Sequence, residues 1–302
     1  MHITLRQLDV LVAIVQKGSL AAAAEQLCIT KAAVSMALQE LERQLDCPLF
    51  DRVRNRLQLN NHGALLLPLA DEVRQRVQHI ESLFLAGEHH QGLVRIGASN
   101  TIGNYLLPAL LADFIRRYPG IEIQIQINNT RALGQMLSEY GLDIVLVEGQ
   151  LDERGFEAHP WLVDPLRVVA APDHPLVGRP GLTLRDLEQQ RWLLREPGSG
   201  SREQFQRLLA SHLGNWQLAF EFNTTESIVN GVANGLGLGL LSRMATARAE
   251  ADGRLRALDL QPAMSRRLSW VTQAGKYRHP ALASFISHCQ QWQPDALLGV
   301  QP

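Results

Sequence analysis

Hydrophobic positions in the first sixty residues recur at the three- and four-residue spacing of short amphipathic helices. The first segment places five apolar residues on one face: Leu5, Leu8, Leu11, Val12 and Val15. Thr4 and Gln7 have the spacing of a capping box, and Gly18 is placed to end the segment. The pattern therefore predicts a first helix from about residue 5 to residue 17.

Two further short helices follow around a three-residue turn. Ser19 is expected to cap the second helix, in which Ala23 and Ala24 allow a crossing helix to approach closely. Thr30 is expected to cap the third helix, whose buried stripe is Val34, Leu38, Leu41 and Leu45. Its outward face would carry Lys31, Ala32, Ser35, Met36 and Gln39. Such a face suits a helix lying in the major groove of DNA, and an ordinary helical hairpin is the alternative.

Three arginines follow within five residues, flanked by apolar positions that alternate as in a strand: Phe50, Arg52, Arg54, Arg56, Leu57 and Leu59. This pattern predicts a β-hairpin whose arginines contact phosphates or the minor groove, and a merely solvated surface is the alternative. The predicted DNA-contacting residues are Thr30, Lys31, Ala32, Ser35, Met36, Gln39, Arg52, Arg54 and Arg56.

A longer amphipathic helix is predicted from Asn61 to about Leu85. Its apolar residues step by three or four positions: Leu66, Leu69, Val73, Val77, Ile80 and Phe84. This spacing favours a two-stranded coiled-coil seam and hence a dimer, and a helix packed on its own chain is the alternative. Pro68 is expected to kink or restart the helix. The polar segment GEHHQG, residues 87–92, predicts a hinge.

Beyond this hinge, short apolar runs alternate with helical stretches, which predicts an α/β fold with a largely parallel sheet. These predicted strands and helices are too many for one compact sheet, and they divide into two groups near Val163 and near Arg266. We therefore expect one subdomain of residues 92–162 and 267–302 and a second of residues 163–266, joined by two crossovers. A helix from Ala281 to Gln293 should return to the first subdomain.

Composition narrows the class of protein. A chain of 302 residues with 46% hydrophobic residues can build two or three packed domains. The formal charge of −1 gives no support for nucleic-acid binding, so that inference rests on the arginines and the helix geometry. We find no signal segment and no membrane-length apolar run, so a cytoplasmic protein is expected. Cys28, Cys47 and Cys289 suggest neither a disulfide framework nor a metal site, and no cofactor is expected.

Three predicted strands are followed by loops rich in hydroxyl and amide groups, at residues 99–103, 197–202 and 223–225. Ligands of open α/β sheets bind at such strand ends, where helix N-termini point outward. Together with Arg195 these loops favour a small anion. Glu148 would repel an anion unless it pairs with Arg195, binds a cation or accepts a proton from the ligand. The candidate residues are Ser99, Asn100, Thr101, Asn129, Glu148, Arg195, Ser199, Ser201 and Thr224.

Residues 1–63 contain, in order, the motifs LRQL, SLxxAAxxL, TKAAVS, LExxL, PLFDR and LxxxG. This order resembles the winged helix-turn-helix of LysR-type transcriptional regulators, and the remaining chain is similar to that family in length and order. The resemblance implies an α/β protein with a DNA-binding domain (1–60), a linker and dimerisation helix (61–88) and a two-subdomain, periplasmic-binding-protein-like effector domain (89–302). Asp46, Lys31 and Asn60 depart from the usual glycine, glutamine and threonine, and Lys31 leaves the target sequence open.

The stretches ASNTIGNYLLP, VLVEG, REPGSGSRE and GLGLGLLSR resemble the YeiE/FinR branch of that family, which implies sulfite as effector. The expected partners are a double-stranded DNA operator, sulfite or a similar small oxyanion, and a second copy in a homodimer or homotetramer. RNA polymerase is a further candidate partner, and no membrane is expected.

Two other functions remain open at this point. One is a solute-binding module or enzyme of periplasmic-binding-protein fold with an N-terminal extension, although we find no acid–base triad and expect no enzyme. The other is a redox sensor that uses Cys28 or Cys47.

Overall fold

The computed structural model describes residues 3–53, 56–83, 92–149, 151 and 155–294. The chain begins with three helices and a hairpin: α1 (Leu5–Lys17), α2 (Leu20–Gln26), α3 (Lys31–Leu45), β1 (Phe50–Val53) and β2 (Arg56–Leu59). Each helix begins at its predicted cap, because the side chains of Thr4, Ser19 and Thr30 accept a hydrogen bond from the backbone N–H three residues later. Gly18 and Asp46 end α1 and α3 in the left-handed conformation.

The core formed by α1, α2, α3 and the hairpin, which we call the head, confirms most of the predicted buried stripes. Val34, Leu38 and Leu41 of α3 are buried, and Leu45 is half-buried. In α1 the buried face is centred on Val10, Leu11 and Ile14, while Leu5 is 38% exposed. The predicted face was therefore wrong at Leu5, although Leu8 in the same first turn is buried.

A single helix, α4 (Asn61–Leu83), follows the hairpin and begins at Asn60, whose Oδ1 accepts a hydrogen bond from the Gly63 N–H at 3.0 Å. The helix continues through Pro68, so the predicted restart was wrong. Pro68 and Ala64 both lie on the exposed side, where water can satisfy the carbonyl that the proline leaves unbonded. The segment 84–91, which contains Phe84 and most of the predicted hinge, lies outside the described residues.

The C-terminal α/β region contains seven helices and nine strands in its described part. The helices are α5 (Asn100–Tyr105), α6 (Leu107–Arg117), α7 (Thr130–Ser138), α8 (Gly200–Phe205), α9 (Thr225–Ala233), α10 (Arg243–Ala251) and α11 (Pro280–Gln291). The strands are β3 (Gly92–Ala98), β4 (Ile121–Ile127), β5 (Ile144–Glu148), β6 (Phe156–Ala170), β7 (Arg191–Arg195), β8 (Gln217–Phe222), β9 (Gly239–Ser242), β10 (Arg256–Ala257) and β11 (Met264–Gln273). A 3₁₀ turn spans 184–187, and a π-helical turn continues α8 over 206–210.

Among the described residues, seven strands form one sheet in the order β10-β6-β11-β5-β3-β4, with β9 also paired to β6. Strand β3 runs parallel to β4 and β5, but β6 and β11 are antiparallel to each other from Met264↔Leu166 to Gln273↔Phe156. The two expected crossovers between the subdomains, near Val163 and Arg266, are thus the long strands β6 and β11, which pair with each other. The largely parallel sheet was a wrong prediction, because these strands run antiparallel through both subdomains.

Each subdomain packs its own core. Helices α5, α6 and α11 cover one face of β3, β5 and β11, and the prediction that the C-terminal helix returns to the first subdomain is confirmed. In the second subdomain β7 and β8 form a separate parallel pair, and the core contains Trp192, Phe205 and Leu238. No single helix in the described ranges is long and apolar enough to cross a membrane; α1 and α2 pass that test only as a pair bent by 118°.

Buried charges join α4 to the α/β region, and we call them the junction cluster: Asp71, Gln75, Arg95, Asp143 and Lys276. Lys276 Nζ lies 3.3 Å from Asp71 Oδ2 and 3.1 Å from Asp143 Oδ1. Arg95 Nη2 lies 2.9 Å from Asp143 Oδ1, and Gln75 Nε2 donates to Asp71 Oδ2 at 2.7 Å. One face of α4 is thereby fixed to its own chain.

The opposite side of α4 is open. Leu65, Leu69, Val73 and Ile80 are exposed, with Leu69 59% exposed. The last three belong to the predicted seam, and Leu65 does not. Leu66 and Val77 of that seam are half-buried. A polar face of α4 therefore packs on its own chain, while its apolar stripe stays exposed among the described residues, and the coiled-coil seam remains a prediction.

Candidate DNA interface and effector cleft

The first candidate site is the outward face of α3. Lys31, Ala32 and Gln39 are exposed, Met36 is 70% exposed, and Ser35 is half-buried. Thr30 serves as the helix cap, since its Oγ1 accepts from the Ala33 N–H at 3.2 Å. The structure thus presents short and flexible side chains along one side of α3, as a helix that enters the major groove requires.

A basic groove lies beside this face. It has a volume of about 530 Å³, and its cationic lining residues are Lys17, Lys31 and Arg52. None of its described lining residues is acidic. The sequence analysis did not select Lys17. Its signal was its position at the end of α1, directly before Gly18, which places it close to the start of α2. Three cations around an open groove are suited to DNA phosphates.

The hairpin β1–β2 has the predicted antiparallel pairing, with Arg52 opposite Leu57. Arg52 is exposed and lines the basic groove. Arg54 lies outside the described residues, and Arg56 begins β2 with its side chain also outside the described part of the chain. Of the three predicted arginines, the structure therefore places one against the candidate interface.

We expect Arg52→Ala to weaken DNA binding by about 1 to 2 kcal/mol per protomer, because one phosphate contact is lost. The loss should be similar for all DNA sequences, and the salt dependence should fall by about one phosphate contact. Titration of a labelled duplex at several salt concentrations measures both. The exposed Arg116→Ala, in α6, is the control. Unchanged affinity and salt slope in Arg52→Ala would remove Arg52 from the interface.

The second candidate site is the cleft between the two subdomains, where the predicted loops meet. Asn100 Oδ1 accepts a hydrogen bond from the Thr225 N–H at 3.0 Å. Asn129 Nδ2 donates to Glu196 Oε1 at 3.2 Å, and the Arg131 N–H donates to the Gly198 carbonyl at 3.1 Å. These bonds join the first subdomain to the second at the starts of four helices.

Hydroxyl groups in the cleft divide into two classes. Ser199 and Thr224 cap their own helices, as Asn129 does with its Oδ1, so these side chains already have a structural role. In contrast, Ser99 Oγ and Thr130 Oγ1 are buried and have no hydrogen-bond partner among the described residues. Thr101 is also buried, at the start of α5. Thr130 was missed by the sequence reading, and its signal was its place directly after Asn129.

Arg195 does not pair with Glu148, and that predicted alternative was wrong. Its Nε lies 2.8 Å from Glu196 Oε2, and its Nη1 donates to Thr225 Oγ1 at 3.4 Å. Burial opposes the charge of Glu196, but the hydrogen bonds from Arg195 lower the pKa of that carboxyl below its ordinary value. Arg195 pairs with Glu196, the next residue in the chain, whereas Glu148 lies at the end of β5 in the other subdomain.

Glu148 faces Arg266 instead, a residue that the sequence reading did not select. Arg266 Nη2 lies 3.6 Å from Glu148 Oε1, and Arg266 Nε donates to Asp164 Oδ2 at 2.7 Å. Ser201 Oγ accepts from Arg266 Nη1 at 3.0 Å. Burial is the largest influence on Asp164 and raises its pKa despite the arginine. Arg266 Nη2 and Glu148 Oε1 make no hydrogen bond with any described residue and form an ion pair with each other.

Comparison with known proteins identifies a family for each of the two regions. The family described as "Bacterial regulatory helix-turn-helix protein, lysR family" matches residues 5–64, and the "LysR substrate binding domain" family matches residues 87–294. The HTH-type transcriptional regulator YeiE of Escherichia coli (strain K12) is 39% identical over 290 residues, 96% of this chain and 98% of YeiE.

Solved structures have the same architecture. A full-length OxyR variant from Pseudomonas aeruginosa has a TM-score of 0.74 at 24% identity, covering 97% of this chain and 100% of that one. The regulatory domain of CcmR from Synechocystis PCC6803, in complex with 2-PG, has a TM-score of 0.62 at 29% identity, covering 66% and 96%. This chain therefore belongs to the LysR family of DNA-binding transcriptional regulators, with an N-terminal winged helix-turn-helix and a C-terminal effector-binding domain, and is not an enzyme.

Proposed function

We propose that a small oxyanion, namely sulfite, binds in the cleft and controls operator binding or transcriptional activation. The observation that carries this proposal is the pair of buried hydroxyls without partners among the described residues, Ser99 Oγ and Thr130 Oγ1. A buried polar group without a hydrogen bond is costly, so two such donors at one cleft favour a ligand with several acceptor oxygens. The stretches that resemble the sulfite-responsive branch include Ser99, and they supply the choice of ion.

Charge in the cleft also favours an anion that carries a proton. Arg266 Nη2 and Glu148 Oε1 form an ion pair 3.6 Å apart, and neither atom makes a hydrogen bond with a described residue. An oxyanion placed against Arg266 would be repelled by Glu148 unless the ligand donates a hydrogen bond to it. Hydrogen sulfite has both a charged oxygen and a proton, and it therefore fits this pair better than a fully ionised sulfate.

The proposal extends to assembly and partners. Residues 61–88 would dimerise through the open apolar stripe of α4, and two dimers would form a tetramer on paired half-sites of double-stranded DNA. Residues 1–60 would then read the operator, and residues 89–302 would bind the effector. An anion that contacts both subdomains favours one closure angle, which can change the placement of the paired DNA-binding domains and their contact with RNA polymerase.

Calorimetry with the full-length protein tests the effector. We expect sulfite to bind the wild type, and Ser99→Ala and Thr130→Val each to weaken binding at least about tenfold, since hydrogen bonds to charged groups contribute about 1.5 to 3 kcal/mol. Ser138→Ala is the matched control, because Ser138 is exposed and its hydroxyl donates only to the Gln135 carbonyl in its own helix. Undiminished binding in both cleft variants, or binding of a bulky uncharged ligand instead, would contradict the proposal.

A further inference from the structure

A separate groove crosses the two strands that join the subdomains. Side chains alternate along a strand, so Ser265, Arg267 and Ser269 project from the face of β11 opposite to that of Arg266. Their neighbours across the pair include Val163, which is opposite Arg267 in register and 53% exposed. Arg266, whose guanidinium pairs with Asp164 and Glu148, is also among the lining residues, so the groove adjoins the cleft cluster across the same strands.

Two further elements enclose the groove. Gly149, just after β5, forms one side, and Gln204 of α8 and Arg207 of the following π-helical turn form another. Its volume is about 570 Å³. That volume lies within the range of about 300 to 1,000 Å³ that is typical of small-molecule sites, which is more than a single inorganic ion fills.

The charge of the groove has one sign. Arg207 and Arg267 are both exposed, and neither makes an ion pair with a described carboxylate. Arg207 Nη2 donates to Gln204 Oε1 at 2.6 Å, which holds one guanidinium at the wall. None of the described lining residues is acidic, and Glu203 of α8 is not among them. Two unneutralised guanidinium groups favour carboxylate or phosphate oxygens, which they bind in pairs.

The uncharged lining residues indicate that the anion also has hydrogen-bonding and apolar parts. Ser265 and Ser269 supply hydroxyls, whereas Ala158, Pro160 and Val163 of β6 supply an apolar floor. We infer that this groove, which adjoins the cleft at Arg266, is a second ligand site for a small organic polyanion with at least two carboxylate or phosphate groups. Because its walls belong to both crossover strands and to α8, the bound polyanion would restrict the hinge between the subdomains.

Calorimetric titration of the full-length protein with citrate and with 3-phosphoglycerate tests this site. We expect at least one of them to bind the wild type and to bind the double variant Arg207→Gln, Arg267→Gln at least about tenfold more weakly. The control is Arg185→Gln, Arg248→Gln, which removes the same charge from two exposed residues of the same subdomain and should change affinity less than about twofold. Binding of neither probe, or an equal loss in both double variants, would overturn the inference.

Two single variants separate this groove from the other anion-binding surfaces. Ser99→Ala should weaken sulfite and leave the polyanion unaffected, and Arg52→Ala should likewise leave it unaffected. A loss of polyanion affinity in Ser99→Ala would place the probe in the cleft, and a loss in Arg52→Ala would place it in the basic groove beside α3. Either result overturns the second site. Slower hydrogen exchange of residues 264–269 on adding the probe is the expected direct sign of occupancy.

Discussion

Lys276→Met is expected to destabilise the protein by about 3 to 5 kcal/mol, because it leaves buried carboxylates without their cation. The side chain of Lys276 is 2% exposed, and its Nζ lies within 3.3 Å of both Asp71 and Asp143. Methionine fills a similar volume, so little of the loss comes from packing. Arg95 would remain as the only cation of the junction cluster. Urea unfolding followed by circular dichroism measures the change.

An exposed ion pair provides the comparison for this prediction. Arg116 and Asp113 lie 2.9 Å apart on the surface of α6, where solvent screens their charges. Arg116→Met should therefore change the stability by no more than about 1 kcal/mol. If Lys276→Met were as mild as Arg116→Met, the junction cluster would not hold α4 to the α/β region as the structure indicates.

The junction cluster also predicts a loss of stability in acid. Burial opposes the charge on Asp143, but Lys276 and Arg95 outweigh it and hold the pKa of Asp143 well below its ordinary value. A carboxyl whose pKa is lowered on folding stabilises the protein above its unfolded pKa of about 4 and loses that contribution as the pH falls further. Unfolding midpoints between about pH 5 and pH 2 should fall steeply for wild type and less steeply for Lys276→Met. Equal slopes would contradict the assignment.

Leu69→Glu is expected to convert the dimer to monomers and to lower operator affinity by about 100-fold or more, since the avidity of two linked half-sites is typically about 10² to 10⁴. Leu69 lies in the exposed apolar stripe of α4, at a position where a partner helix would bury it. A glutamate there would place an unpaired charge in the seam. Sedimentation measures the assembly, and duplex titration measures the affinity.

Gln78→Glu is the matched control for this variant. Gln78 is exposed on the same helix, nine residues later and thus about half a turn away from the stripe around the helix axis. The variant adds the same charge and should leave the dimer intact. Dimers of undiminished stability in Leu69→Glu would show that α4 does not supply the contact between copies.

Local signals in the sequence were sufficient for the head of the molecule. Thr4, Ser19 and Thr30 cap their helices as expected, because a cap depends on residues only three positions apart. The hairpin of β1 and β2 and the α/β alternation were predicted for the same reason. Pro68 was misread, since the penalty for an internal proline depends on whether its surroundings are exposed, which tertiary packing decides.

Contacts between distant residues were not accessible in this way. Lys276 and Asp71 are separated by 205 positions, and neither has a local pattern that names its partner. The same holds for Glu148 and Arg266, which meet only because β5 and β11 are neighbours in the sheet. The sequence predicted most loops of the cleft, but Arg195 was the only named partner among its three alternatives for Glu148, and Arg266 was not considered.

The continuity of α4 through Pro68 makes this helix a lever arm. A helix of 23 residues is about 35 Å long. The junction cluster holds α4 at Asp71, about 15 Å from the end of the helix at Asn61. If the cluster allowed α4 to tilt by about 12°, that end would swing by about 3 Å, close to the rise of about 3.4 Å between successive base pairs. A rotation of that size would thus shift the DNA-binding helices by one base pair, which is the unit in which spacing between half-sites is counted.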